Sequence, residues 1–336
     1  MTNNHIDLIT IGRVSMDLFS QNIGVPFVEI EGFETSVGGS PVNIAIGANR
    51  LGLRTATLTA VGDDEVGKFV RRYLEKEGVI TDYIPTKPGT RTGLAVVGIQ
   101  PPDKFPLVFY RENPADIYLT IEDVFALPLA QSRSVLLSGT ALSRGSCRDA
   151  TLFAAEQARR EGLTTFMDLD LRPDQWYDPR AYGLNIRTIL ANVEVVIGTE
   201  EELFAALAVD PAPVMAGQAV TEAQQVLLET LIRELLAAPP GPRTVVLKRG
   251  ARGVTLYTRQ GEVIDVAGFP VEVLNTVGAG DAFASSLIYS WVKGAAWPQA
   301  ARFANACGAL VVTRHGCATA MPTLSEVELF LQNRTK

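Results

Sequence analysis

"TTFMDLDLRPDQWYDPRAYGLNIRTILANVEVVIGTEEELFAAL", residues 164–207, decides the fold. It opens on an apolar run, TTFMDL (164–169), and passes into helical spacing at 180–191. A second apolar run, VEVVIG (193–198), follows, and a second helical stretch at 200–207. Apolar runs this short read as strands covered on both faces. A strand, a crossing helix and another strand make a parallel pair. The rhythm extends outward in both directions. IDLITI (6–11), TATLTAV (55–61), SVLLSG (134–139) and TVVLK (244–248) read as further strands. Residues 41–51, 65–77, 147–161, 221–237, 280–293 and 298–313 read as further helices. The pattern predicts an α/β fold with a mainly parallel central sheet covered by helices. In such sheets ligands sit beyond the carboxyl ends of the strands.

Two segments break the rhythm. Residues 13–37 and 92–113 lack helical spacing. The second contains TGLAVVGIQPPDKFPLVFYRE, two β-rich runs around a Pro-Pro-Asp turn, which is a hairpin signal. These pieces are expected to pair into a small β-layer over the cleft; the competing reading is an antiparallel extension of the main sheet. AALAVDPAPVMAGQAV (205–220) is expected to be a surface loop.

Composition narrows the class. The 336 residues are 47% hydrophobic and 20% charged, enough for a large core. A formal net charge of -7 argues against a general nucleic-acid surface. Cys147, Cys307 and Cys317 show neither close pairing nor metal-ligand spacing, so free thiols in a reducing cytoplasm are expected. MTNNHIDLITIG has no basic start or long apolar stretch, so no signal peptide is expected, and no run is long enough to span a membrane.

NTVGAGDAFASSL (275–287) carries the chemistry. Gly278 and Gly280 let a ligand approach the backbone closely. Successive amides at a helix N-terminus form an anion site. Asp281 inside that site has two readings. It complements the helix dipole, or it takes a proton from a hydroxyl attacking a phosphoryl group. This stretch alone leaves both open. GDDEVGK (62–68) has the spacing of a phosphate loop, but Phe69 stands where a Ser or Thr is needed. Asp63, Asp64 and Glu65 would also repel phosphate, so the stretch reads as a helix start. GRVSMD after the first strand does not supply the glycines of a dinucleotide fold, which argues against an oxidoreductase.

VGGSPVNIAIGANRLGLRTATLTAVG (37–62), taken with NTVGAGDAFASSL, resembles the two signatures of the ribokinase-like (pfkB) carbohydrate kinases. The resemblance covers essentially the whole chain. It implies a ribokinase-like three-layer α/β/α sandwich with a small β-sheet lid. Residues 1–336 would form one kinase domain, with the lid drawn from about 13–37 and 92–113. It implies ATP and Mg2+ as cofactors, a small-molecule sugar substrate, no nucleic-acid or membrane partner, and a homodimer through the lid.

Site residues carry over by position. Asp281 would be the base, with the amides of Gly278, Ala279 and Gly280 as the anion hole. Asp17, Gly38, Gly39 and Asn43 would hold the substrate. TEEE (199–202) resembles the family's Asn-x-x-Glu, which puts Glu202 near magnesium; Thr199 replaces the asparagine. LKRGARG (247–253) brings Lys248, Gly250 and Gly253 to the nucleotide side, and FANACGAL (303–310) puts Asn305 beside the adenine. Asn275 stands where many members carry aspartate beside a monovalent-cation loop, which leaves that cation an open question; Ser286 replaces a smaller Ala or Gly.

TIGRVSMDLF, SVGGSPVNIAIGANRLGL, FPLVFYRENPAD and DLDLRPDQW are similar to the members that phosphorylate keto sugar acids. A sugar acid needs a cation for its carboxylate. Arg111 in FYREN and Arg172 in DLDLRPDQW are the candidates, because guanidinium grips carboxylate in a two-pronged fork. A second keto-acid kinase, a fructokinase and a catalytically silent sensor on the same fold are the alternatives, in that order.

Overall fold

The computed structural model describes residues 5–101 and 104–334. Its main sheet has eight strands. From one edge they run Val263–Val266, Val254–Thr258, Thr244–Lys248, Val195–Thr199, Thr164–Asp168, Ser132–Ser138, Ile6–Ile11 and Thr55–Leu58. Neighbours are parallel from Thr244–Lys248 to Thr55–Leu58. The last two strands turn antiparallel. Their connections are too short for a crossing helix, and the Thr258–Val263 turn passes through Gly261 at φ +89.

Strand side chains alternate between two covered faces. Leu8, Leu136, Phe166, Ile197 and Val246 pack with Ile44, Phe283, Leu287 and Ala304. These belong to the helices Ser40–Arg50, Ala279–Val292 and Trp297–Val312. Ile9, Leu137, Met167, Val196 and Val245 pack on the other face with Ala154, Ile186, Leu203 and Leu228. Those belong to the helices Ser146–Arg160, Pro179–Ile189, Glu200–Leu207 and Glu222–Ala237. Burial on both faces explains why each strand reads as one apolar run rather than as an alternation. The expected α/β/α layering with a mainly parallel sheet is therefore the observed one.

Residues 13–37 and 92–113 do not extend the main sheet. They build a separate four-stranded sheet in the order Phe33–Gly38, Ser15–Ile23, Gly93–Ile99, Leu107–Tyr110. The hairpin of Gly93–Ile99 and Leu107–Tyr110 is antiparallel. Of its expected Pro-Pro-Asp turn, Pro102 and Asp103 lie outside the described residues. The small sheet shares its core with the helical layer: Val14, Phe19, Val37 and Val97 cluster with Val42, Ile46, Ala282 and Val311.

Three local readings change. TATLTAV is not one strand. It ends at Leu58, and Val61–Gly62 pairs instead with Thr86–Lys87. The 205–220 stretch contains a short helix, Ala212–Met215. The edge strands Val254–Thr258 and Val263–Val266 and the helix Leu324–Asn333 add to the elements read from sequence. GDDEVGK does begin a helix: the Asp64 carboxylate accepts the Gly67 N–H at 2.7 Å and caps Glu65–Lys76. No helix among the described residues is long and apolar enough to cross a membrane.

Candidate active site

Each parallel strand delivers a polar residue at or just beyond its carboxyl end. Arg13 follows Ile6–Ile11, and Ser138 and Thr140 end Ser132–Ser138. Asp168, Asp170 and Arg172 follow Thr164–Asp168; Glu202 follows Val195–Thr199; Lys248 ends Thr244–Lys248. Opposite them stand the N-termini of two helices, Ser40–Arg50 and Ala279–Val292.

Asp281 lies in the first turn of Ala279–Val292. Gly278 caps that helix in the left-handed region, φ +88. A Cβ there would lie 2.5 Å from Cys317 Sγ, so both the angle and the space require glycine. The first intrahelical bond runs from Ala282 N–H to Gly278 O at 2.9 Å. The amides of residues 279–281 precede it and have no acceptor within the helix. The Ala279 N–H turns to Thr276 O at 3.3 Å, so the Gly280 and Asp281 amides are the freer donors.

The Asp281 carboxylate does not cap its own helix. Its Oδ2 accepts the Asn43 amide at 2.8 Å, and Cys317 Sγ lies 3.8 Å away. Burial raises the Asp281 pKa, and the Asp170 charge adds to that. Raising the pKa of a buried carboxylate makes it a better acceptor of a proton.

Lys248 Nζ sits between Asp168 Oδ1 at 3.5 Å and Glu202 Oε2 at 3.6 Å. It would be 3.3 Å from a Cβ on Gly280, so its charge faces the amides at the helix N-terminus. Burial lowers its pKa, but Glu202 and Asp168 outweigh this and the net shift is upward, so the ammonium stays charged. The Asp168 pKa also rises, to about 7, which runs against a simple ion pair. Burial is the main cause, opposed by Lys248 and reinforced by Glu202, Asp170 and Asp281. Ser40 Oγ donates to its second oxygen at 2.5 Å. Glu202 closes a capping box: its carboxylate accepts Thr199 N–H at 2.8 Å, and its own N–H reaches Thr199 Oγ1 at 3.2 Å. Thr199 therefore serves as a helix cap in the position where asparagine was expected.

Asp17 rises from the first strand of the small sheet and accepts Ser15 Oγ at 2.6 Å. Burial pushes its pKa up to about 6. A Cβ on Gly38 would collide with this carboxylate, and one on Gly39 would stand 2.6 Å from Arg13 O. The glycine pair thus makes room for Asp17 and for the backbone beside it.

The two expected arginines differ. Arg111 is locked in a fork with Asp116, at 2.7 and 2.9 Å, and Asp116 also accepts Val14 N–H at 3.1 Å. The pair ties the hairpin to the root of the small sheet and occupies the Arg111 fork. Arg172 meets Asp170 at 3.1 Å and leaves its Nε without a partner. Arg13 was not singled out from sequence. It lies 3.5 Å from the same Asp170 and stacks over Phe109 at 5.3 Å. Its only linear signal was a cation two residues past a strand end.

Of the nucleotide-side candidates, Lys248 stands beside Gly280, while Asn305 and Gly253 meet at the segment 266–268. Asn305 donates to Val266 O at 3.1 Å and Ala267 O at 3.0 Å. Gly253, at φ +94, abuts the same segment, whereas Gly250, at φ +57, faces open space. Asn275 is buried, donating to Gly316 O at 2.9 Å and accepting Val277 N–H at 3.0 Å. Ser286 Oγ bonds back to Ala282 O at 2.6 Å.

A layered α/β fold with an acid, a lysine and a helix N-terminus at the strand ends defines a phosphoryl-transfer class of site. The sequence pattern of the pfkB family carbohydrate kinases matches residues 6–324, and the chain belongs to that family. A relative from Geobacillus thermodenitrificans (strain NG80-2), named 5-dehydro-2-deoxygluconokinase, is 35% identical over 98% of this chain and 94% of its own. One of the same name from Bacillus anthracis is 36% identical over 98% and 96%. Among solved structures, a fructokinase with bound ATP from Xylella fastidiosa superposes with a TM-score of 0.81 at 24% identity, covering 98% of this chain and 99% of that one. A fructokinase from Vibrio cholerae O395, bound to fructose, ADP and calcium, gives 0.79 at 25% identity over 97% and 99%.

Proposed function

We propose that the chain phosphorylates the C6 hydroxyl of 5-dehydro-2-deoxy-D-gluconate with MgATP. The observation that carries the reading is the Asn43–Asp281 contact at 2.8 Å, beside a helix N-terminus that Lys248 faces. The sugar-acid part is supported by relatives of that name at 35–36% identity and by two arginine side chains with unpartnered Nε atoms. A role in inositol breakdown belongs to the same proposal.

When bound, MgATP supplies the phosphoryl group. The site fits its charge: the Gly280 and Asp281 amides open the helix N-terminus, and the Lys248 ammonium lies beside Gly280. No group of three metal-ligating side chains stands together among the described residues. Glu202 and Asp168 match a magnesium ion held mostly by phosphate oxygens and water.

In this reading Asp281 takes the hydroxyl proton while Asn43 keeps its carboxylate turned to the sugar. Of the expected 278–280 amides that of Gly280, together with the Asp281 amide and Lys248, meets the charge that develops on the transferred group. Asp17, Gly38 and Gly39 bind sugar hydroxyls and backbone-facing edges. Arg172 binds the carboxylate, and Arg111 positions the hairpin through Asp116. Gly250, Gly253 and Asn305 shape the nucleotide side; Asn305 acts by fixing residues 266–267. The Asn275 amide is spent on Gly316 and Val277, so a monovalent cation at that loop would rest on backbone carbonyls alone.

The four-stranded sheet acts as a lid within a single 1–336 domain. Its exposed Phe33, Leu107, Val108 and Tyr110 form the contact of a homodimer. Three buried free thiols suit the cytoplasm. A coupled ATPase assay over keto sugar acids and neutral sugars tests the substrate. The keto acid should give the highest kcat/KM; a preference for fructose would overturn the assignment.

A further inference from the structure

Buried polar atoms rarely lack a partner, and each one that does asks for an explanation. Arg13 Nε and Arg172 Nε are both buried without a hydrogen-bond partner. Both side chains are held by one residue, Asp170. That carboxylate is already well occupied. It accepts Ser138 Oγ at 3.3 Å and Thr140 Oγ1 at 3.1 Å, and it pairs with Arg172 at 3.1 Å. Arg13 Nε itself lies 3.5 Å from Asp170 Oδ2, so Asp170 offsets the Arg13 charge without a well-formed hydrogen bond to that N–H. Its backbone sits in the left-handed region, φ +34, which a non-glycine residue adopts at some cost in order to hold this position.

Two guanidinium groups share this one carboxylate, and Glu202, Asp281 and Asp168 act on Arg172 as well. Arg111 does not share it, being neutralised by Asp116. Asp17 acts on Arg13 from further away. Only 6% of the Arg13 side chain is exposed, and burial lowers its pKa against the pull of Asp170 and Asp17. Phe109 fixes one face of its guanidinium and also lines a cavity of about 430 Å³ with Gln175 and Trp176. Gln175 Nε2 and Trp176 Nε1 are buried donors without partners as well. A carboxylate between Arg13 and Arg172 would satisfy the two arginine Nε atoms.

We infer that Arg13 is the second arm of the carboxylate clamp, opposite Arg172 across Asp170, and sets the preference for a sugar acid over a neutral sugar. The inference rests on the sugar-acid reading above and deepens it by naming the residue that discriminates.

The test compares the keto acid with the same sugar carrying a primary amide in place of the carboxylate. Wild type and Arg13→Met are measured on both, with KM for ATP as a control. Arg13→Met should lose about 100-fold in kcat/KM on the acid, the usual scale for removing one side of a buried charged contact. It should keep its kcat/KM on the amide and its KM for ATP, a split that a merely structural role would not produce. An unchanged acid-to-amide ratio in Arg13→Met overturns the inference and leaves the sugar-acid reading standing. A wild type that does not prefer the acid overturns both. If Arg13→Met does not fold, Arg13→Lys decides: it keeps the charge without the fork, so its acid-to-amide ratio should fall by about tenfold, and a wild-type ratio refutes the role.

Discussion

Asp17→Asn should stabilise the protein while weakening its grip on substrate, and the size of the gain should depend on pH. Burial lifts the Asp17 pKa from its ordinary 3.8 to about 6. Between those values the folded state binds the proton that the unfolded state has released. Stability therefore falls as pH rises through that window, and the full penalty persists above it. A shift of about 2 units corresponds to about 3 kcal/mol. The amide is nearly isosteric, its oxygen still accepts Ser15 Oγ, and the space beside Gly38 is unchanged. It carries no charge at any of these pH values, so it escapes the penalty. Urea unfolding of wild type and variant from pH 4.5 to 8 reads the difference. It should grow from a few tenths of that value near pH 4.5 to about 3 kcal/mol above pH 6.5. In the wild type kcat/KM should fall below about pH 6, as Asp17 gains its proton and stops accepting hydroxyls. A stability difference that is flat with pH, or an Asp17→Asn protein less stable at pH 7.5, would refute this reasoning.

The other perturbations separate chemistry from scaffolding. Asp281→Asn should lower kcat by about 10² to 10⁴, the range for a general base, while calorimetry finds ATP binding intact; near-normal turnover would remove Asp281 from that role. Lys248→Met leaves Asp168 and Glu202 without their shared cation and should destabilise the fold by about 3–5 kcal/mol at pH 7.5. The loss should shrink at pH 5, where Asp168 holds its proton, and melting curves showing equal losses at both would contradict it. Arg111→Met strands the buried Asp116 and should destabilise on the same scale. Its acid-to-amide ratio should stay near wild type; a collapsed ratio would make Arg111 a carboxylate ligand after all.

The layering was legible because it is local. IDLITI and TVVLK are strands with the boundaries read from sequence, since strands buried on both faces are written as unbroken apolar runs. Helix starts were equally plain where a capping residue marked them, as Asp64 does. The antiparallel edge at 254–266 escaped because its pairing follows from a short turn and not from periodicity. The break in TATLTAV escaped for a similar reason: Val61–Gly62 takes its partner from Thr86–Lys87, far along the chain.

The site was legible only where a motif carries it. Asp281 and Asn43 are 238 residues apart and were named separately; their 2.8 Å contact comes from two helix ends facing each other across the strand termini. By itself the sequence determined the layers, the mainly parallel sheet with its ligand side at the strand carboxyl ends, and the glycines that open the helix N-terminus. These depend on local propensity and on which faces must be buried. The tertiary structure alone decided how the charges divide. It gave Arg111 to Asp116, set Lys248 between Asp168 and Glu202, and placed Arg13 and Arg172 around Asp170 with nitrogens unspent. A guanidinium looks the same in any sequence, and whether its fork is free depends on which carboxylate the fold brings within about 3 Å of it.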